Sequence, residues 1–417
     1  MKRISILFFV CYAVLITSCG EQKKTRESSG LFLINVNGKY GYINKAGKVV
    51  INPQFDEAKG FSEDLALVRI GDKYGYIDTQ GKYIINPQFD SARDFWEGLA
   101  LVKIGNKIGY IDRTGKYVIN PQFDSAGDFS EGLAPVRVDG KIGYIDTEGK
   151  TVINPQFGGA LQFSEGLAIV GIGGKGGYID KKGQIVINPQ FDDVRSFSEG
   201  MAQIMVGRKW GYIDKAGKIV ISPQFDEVSP VPTNPTGVFS DGLAAVKMGD
   251  KFGYIDKKGN FVITPQFEWA RNFSEELALI RIGGKYGYID KTGKMVINPQ
   301  FEIRESNYEE IGKFFDGLAY LPDEGYIDKT GKFVWSQPED LSKYAGTYSE
   351  ASESGDSCEH LIITVEDGKL RALYRSWYCG EGGQPPEFEA LNNISIKDGK
   401  LKGATANGSE VVWNLKK

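Results

Sequence analysis

The chain has 417 residues, of which 41% are apolar, 12% aromatic and 25% charged, with a formal net charge of −4. That balance describes a globular chain long enough for a large core or a long array, and excludes a disordered or fibrous polymer. No basic stripe suits a nucleic acid, and the single histidine, His360, leaves no His-rich metal site and one residue on which any Ser-His-Asp arrangement would rest.

The chain begins MKRISILFFVCYAVLITSCG. Lys2 and Arg3 form a basic start, Ile4 to Ile16 a mostly apolar run, and small residues precede Cys19, the layout of a secretory signal. The segment is also similar to the bacterial lipoprotein signal, which implies cleavage after Ser18 and lipid attachment at Cys19; a plain signal peptide or signal anchor is the alternative. Residues 19–30 are polar and suit a flexible tether. No other stretch approaches the roughly 18 apolar residues that span a bilayer. The expected product is exported and membrane-anchored in the bacterial cell envelope, facing the periplasm or the surface. Removing residues 1–18 leaves 48 basic residues (50 less Lys2 and Arg3) against 54 acidic. In such a compartment Cys358 and Cys379 are expected to form a disulfide.

From residue 31 to about 337 the chain repeats itself. Gly-Tyr-Ile begins at 41, 75, 109, 143, 177, 211, 253, 287 and 325, and Pro-Gln-Phe ends at Phe55, Phe89, Phe123, Phe157, Phe191, Phe225, Phe267 and Phe301. Each period predicts strands. In residues 99–104, Ala100, Val102 and Ile104 form one face, while Lys103, Arg137, Gln203 and Gly171 occupy the opposite face of their copies, the pattern of a half-buried strand. Gly105-Asn106 and its equivalents supply a two-residue hairpin, and Asp290 with Gly293 a bulged one. A third strand runs to Pro299, where the missing N–H predicts its end. Its adjacent Val296 and Ile297 point to opposite faces, so both faces are expected to be covered. The linker to the next copy is short and can add a fourth strand.

Lys-Trp-Gly-Tyr-Ile-Asp stands intact at Lys209–Asp214, with Trp replaced by Tyr, Phe, Ile or Gly elsewhere, and the copy at 325 departs further in lacking the preceding Lys. On these residues the chain resembles the WG-repeat, or KWG-repeat, family of bacterial proteins. The resemblance implies an all-β fold of tandem repeats, and no established reaction. Stacked units of this kind behave as quasi-one-dimensional solids, here an open solenoid-like array, with a closed, propeller-like ring as the alternative.

The recurring Asp78, Asp112, Asp146 and their equivalents fit turn chemistry better than glycoside hydrolysis, which needs one carboxylate pair in a unique cleft. The Tyr76, Tyr110 and Gln88, Gln122 rows are read as a packing ladder, or as a surface for an extended glycan or peptide. Two copies are enlarged, after Phe225 and after Phe301. Pro230, Pro232, Asn234 and Pro235 in the first insertion, with Asn307 and Tyr308 in the second, are the candidate partner-binding loops. From about 341 the period ends. Residues 361–365, 370–374, 394–396, 401–402 and 411–413 predict a small antiparallel β module.

No cofactor, metal or catalytic residue is expected. The sequence reading is a non-catalytic, lipid-anchored binding or scaffolding protein for a protein or glycan partner. Its alternative is an envelope enzyme, such as a glycan hydrolase, with a site in the insertion loops or the C-terminal module.

Overall fold

The computed structural model describes residues 29–226, 237–303, 311–322, 324–338, 346–351, 357–366, 369–378, 388–397, 400–405 and 410–415. The chain divides into two compact units, Met1–Gln337 and Pro338–Lys417. Every regular element among the described residues is a strand.

Nine antiparallel sheets follow one another in the first unit; the first (31–55) and seventh (244–267) have three strands and the others four. The third repeat is representative. It comprises Ser91–Ala92, Leu99–Ile104, Lys107–Asp112 and Tyr117–Phe123, paired in that order as a meander. The hairpin after Ile104 has Gly105 at φ 57°, and the equivalent Asp139-Gly140 pair has φ 48° and 77°, the primed turns that match strand twist. At the next reversal Asp112 Oδ1 accepts the N–H groups of Thr114 (2.9 Å) and Lys116 (3.1 Å), while Gly115 takes φ 86°. The short linker does form a fourth strand, with Ser91 opposite Lys103.

Two expectations change. Pro does not end the last strand of the repeat: the partner of Ile108 is Phe123 and that of Tyr110 is Ile119, so Asn120, Pro121 and Gln122 stand opposite Gly109 alone, in a bulge. The bulge lies over Gly109, where a Cβ would stand 2.6 Å from Pro121 N, so glycine is required at this place in each Gly-Tyr-Ile.

The burial of the strands is also reversed. Leu99, Ala100, Leu101 and Val102 are all buried, because Ala100 and Val102 face the preceding repeat and Leu99 and Leu101 the following one. Gln203 is buried with them, whereas Ile104 is exposed at the hairpin. In the last strand Ile297 and Phe301 are buried, but the adjacent Val296 is 44% exposed on a strand that forms the edge of its sheet.

Successive sheets bury one another's faces. Between repeats 2 and 3, Leu67, Tyr76 and Phe89 of one meet Phe95, Val102 and Ile111 of the next. Eight tyrosines of this row pack against a phenylalanine of the following repeat at 4.8–5.1 Å between ring centroids. Each such pair adds about 0.5–1.5 kcal/mol beyond its buried area. Seven of their hydroxyls also donate to a backbone carbonyl of that repeat at 2.6–2.8 Å.

Among the described residues no strand pairing joins one sheet to the next, so the array is not a barrel. Its two ends nevertheless meet. An unclosed stack of nine sheets would have eight cores between them; the ninth here joins Phe32, Ile34 and Ile43 of the first repeat to Leu318 and Tyr326 of the last. Lys45 Nζ and Asp316 Oδ1 add an ion pair at 3.0 Å. The tandem all-β array is thus as expected, and the contact of its ends is the ring arrangement kept as the alternative.

The meeting of the ends is built from departures in the repeat. In repeat 2 the second strand is covered by the first, with Lys59 N–H donating to Leu67 O and Asp56 N–H to Arg69 O, both at 3.0 Å. Repeat 1 has no first strand among the described residues. The equivalent carbonyls accept side chains of the last repeat instead: Tyr326 Oη reaches Leu33 O at 2.7 Å and Gln337 Nε2 reaches Asn35 O at 2.5 Å. Phe32 stands where eight other repeats have Ala (Ala66, Ala100 and so on) and places its ring 5.5 Å from Tyr326, the role that Phe95, just after its repeat's first strand, plays against Tyr76.

The second unit has two sheets. One contains Gly346–Ala351, Ser357–Glu366, Lys369–Tyr378 and Glu389–Ala390, and the other Asn392–Lys397, Lys400–Ala404 and Glu410–Asn414. All five predicted segments lie in these strands. Leu361, Ile363, Ala372, Leu401 and Trp413 form their core.

Candidate binding surface

The meander puts two kinds of junction on each rim of the array. One rim carries the hairpins between second and third strands together with the joints between repeats. There Asp56, Asp192 and Asp226 each take a lysine on Oδ1 (Lys39 at 2.6 Å, Lys175 at 2.5 Å, Lys209 at 2.5 Å) and a glycine N–H on Oδ2 (Gly71, Gly207 and Gly249, 2.7–2.8 Å). Lys73, Asp90 and Gly105 repeat the arrangement. The lysine bond first and the N–H second hold Asp56, Asp90, Asp192 and Asp226 below the ordinary carboxylate range.

The opposite rim carries the Ser-Glu-Gly-Leu turns. Glu97 and Gly98 have φ 54° and 80°, a primed two-residue hairpin whose first position sits in the left-handed region. What offsets that strain is a bond to the next repeat: Gly132 N–H donates to Glu97 at 2.7 Å, Gly166 N–H to Glu131 at 3.0 Å and Gly200 N–H to Glu165 at 2.9 Å. The preceding serines act similarly, Ser62, Ser130 and Ser164 donating to Phe95, Phe129's counterpart Phe163, and Phe197 carbonyls at 2.7–2.8 Å. Lys181, Lys215, Lys257 and Lys329 pair with glutamates of the preceding repeat at 3.1–3.3 Å. The sequence reading did not assign these glutamates, although their 34-residue recurrence beside glycine was the available signal.

Of the candidate residues, Cys19, Cys379, Pro230, Pro232, Asn234, Pro235, Asn307 and Tyr308 lie outside the described residues. Cys358 lies in the strand Ser357–Glu366 opposite Trp377, and His360 opposite Arg375. The described residues that flank the insertions, Asp226 and Glu302, occupy equivalent places on the hairpin-and-joint rim, each paired with a lysine (Lys209 at 2.5 Å, Lys285 at 3.7 Å). The recurring Asp residues serve their turns, as expected. The Tyr row is buried and its phenols are pushed well above their ordinary range by burial, so it is a packing ladder and not a surface.

What remains on the outside is the edge strand of each repeat. Val50, Ile84, Val118, Val152, Val186, Val220, Val262 and Val296 are 40–47% exposed. The residues two and four positions on are exposed as well, Asn86 and Gln88 in repeat 2 for example, whereas Ile85 and Phe89 of the same strand are buried.

A family model described as "WG containing repeat" matches residues 40–74, 74–107, 108–141, 142–175, 177–210, 210–252, 252–286 and 286–302. No curated protein matches the chain. Among solved structures, the chain is similar to the AfRom2 CNH domain, at 8% identity over 56% of this chain and 90% of that one, with a TM-score of 0.30. It is similar to apo AztD from Citrobacter koseri at 11% identity over 86% and 96%, TM-score 0.30. BBS1N, solved in complex with ARL6DN, gives 12% identity over 55% and 89%, TM-score 0.28. Eight successive matches across residues 40–302, on repeats whose Gly-Tyr-Ile and Pro-Gln-Phe segments have the same structural duties, show that the chain belongs to the WG-containing-repeat family.

Proposed function

We propose that this protein is a non-catalytic binding and scaffolding platform of the bacterial cell envelope, exported by residues 1–18, tethered by lipid on Cys19, and presenting the repeat array to a protein or glycan partner. One observation carries the reading: the recurring polar groups that resemble catalytic machinery are committed to the fold. The Asp row satisfies its own turns, the Tyr row is buried against the next repeat, and the Glu row bonds the next repeat's glycine. An active site is needed once, whereas these groups recur at each building unit. A rigid array with much repeated surface suits partner binding.

Crosslinking in intact cells followed by purification of the full chain tests the platform, comparing wild type with a variant lacking residues 229–236. A defined partner set in the wild type is the expected result, and its loss in the variant would assign binding to the first insertion. Absence of any specific partner overturns the platform reading. For the tether, Cys19→Ala should abolish lipid labelling and release the protein from membranes; a variant still labelled and membrane-bound refutes it.

A further inference from the structure

We propose that the exposed side of the eight edge strands is a multivalent site for a neutral, hydroxyl-rich glycan chain. The inference rests on the platform reading and names its ligand class and its surface.

The first support is constancy where structure demands none. Gln occupies the last exposed position in all eight repeats from Gln54 to Gln300, and the exposed position before it is Asn in six, with Ser222 and Thr264 in the others. Gln54 and Gln266 bond only the carbonyl two residues back, at 3.3 Å, and the other six have no hydrogen bond among the described residues. Recent duplication does not account for this identity. The equally exposed turn position, two after the recurring Asp or Asn, reads Ala46, Gln80, Thr114, Glu148, Lys182, Ala216, Lys258 and Thr292. Positions free to drift have drifted, and the amide pair has not.

The second support is the chemistry of the ladder. Each repeat offers a carboxamide or hydroxyl, a second carboxamide and an aliphatic side chain, with no formal charge among them. A carboxamide both donates and accepts, which matches a hydroxyl pair on a sugar ring, and the exposed Val or Ile suits the ring's C–H face. An extended peptide would add to the edge by backbone pairing. Here Pro87 and its equivalents carry no N–H and sit in a bulge that interrupts the edge strand, the devices that protect an edge from such pairing. The side chains are therefore the recognition element. Eight weak sites in series bind a repeating polymer by avidity.

Affinity electrophoresis of the full chain in gels containing dextran, laminarin or galactomannan, with alginate as an anionic control, tests the proposal against mobility in a plain gel. The wild type should be retarded by at least one neutral polymer. The variant Gln88→Ala/Gln122→Ala/Gln156→Ala/Gln190→Ala, whose circular dichroism and melting should be unchanged because these side chains are exposed, should bind that polymer about tenfold more weakly or worse. No retardation in any neutral gel, or retardation in alginate alone, overturns the proposal. Equal retardation of variant and wild type places glycan binding elsewhere and overturns the ladder while the platform reading stands. Loss of crosslinked protein partners from the variant without a change in the gels assigns the surface to protein and likewise overturns it.

Discussion

Phe32→Ala should destabilise the protein by about 3–5 kcal/mol, the cost of truncating a packed core phenylalanine. The size follows from the contact between the array's ends. Phe32 is 6% exposed and packs on Tyr326 at 5.5 Å, in the role that Phe95 plays against Tyr76. The other repeats tolerate Ala at this position because a phenylalanine just after their own first strand, such as Phe95, supplies the bulk. Urea unfolding followed by circular dichroism measures the loss, and a double-mutant cycle with Tyr326→Ala isolates the contact. Two aromatic rings that touch should couple by about 0.5–1.5 kcal/mol. If the array were an unclosed stack, residues 32 and 326 would lie at opposite ends and their effects would add. A loss below about 1 kcal/mol, with coupling within about 0.3 kcal/mol of zero, refutes the meeting of the ends.

Gly177→Ala should cost about 3 kcal/mol or more, since its Cβ would stand 2.6 Å from Pro189 N, whereas Gly158→Ala, with nothing within 4 Å, should stay within about 0.5 kcal/mol; equal melting temperatures for the two refute the bulge argument. Ser164→Ala leaves the Phe197 carbonyl without its donor and should cost about 1–3 kcal/mol by denaturant titration, and no loss would mean that the carbonyl is satisfied otherwise. Acid should weaken the array through Asp90, Asp192 and Asp226. Their folded pKa values lie below the ordinary value near 3.9, so their contribution is complete above that value and is lost as pH falls through the lower folded one. The triple Asp→Asn variant should therefore show a shallower fall in stability below about pH 4, and an identical acid limb by fluorescence refutes the role of these carboxylates.

The turns were legible in the sequence because their signals are local. Asp112 and Gly115 sit three residues apart and close their hairpin through a backbone hydrogen bond, and Gly105 needs only its own φ. Burial was harder to read. Leu101 and Ala100 differ in which neighbouring repeat they face, and period two along one strand cannot say that both faces have a neighbour. Val296 and Ile297 misled for the converse reason, since two adjacent apolar residues do not reveal that their strand is an edge. The exposed amide ladder was hidden in the same way: Gln88 and Tyr76 recur with equal regularity, and only packing separates the buried row from the free one.

By itself the sequence determined the repeat, its strands and turns, and the family, since each depends on residues within a few positions of one another. Tertiary structure decided which rows are buried, how each Glu and Ser ties its repeat to the next, and that the array's ends meet. Those outcomes depend on contacts between units, the last of them between Leu33 and Tyr326, 293 residues apart, and no local pattern encodes a distance of that kind.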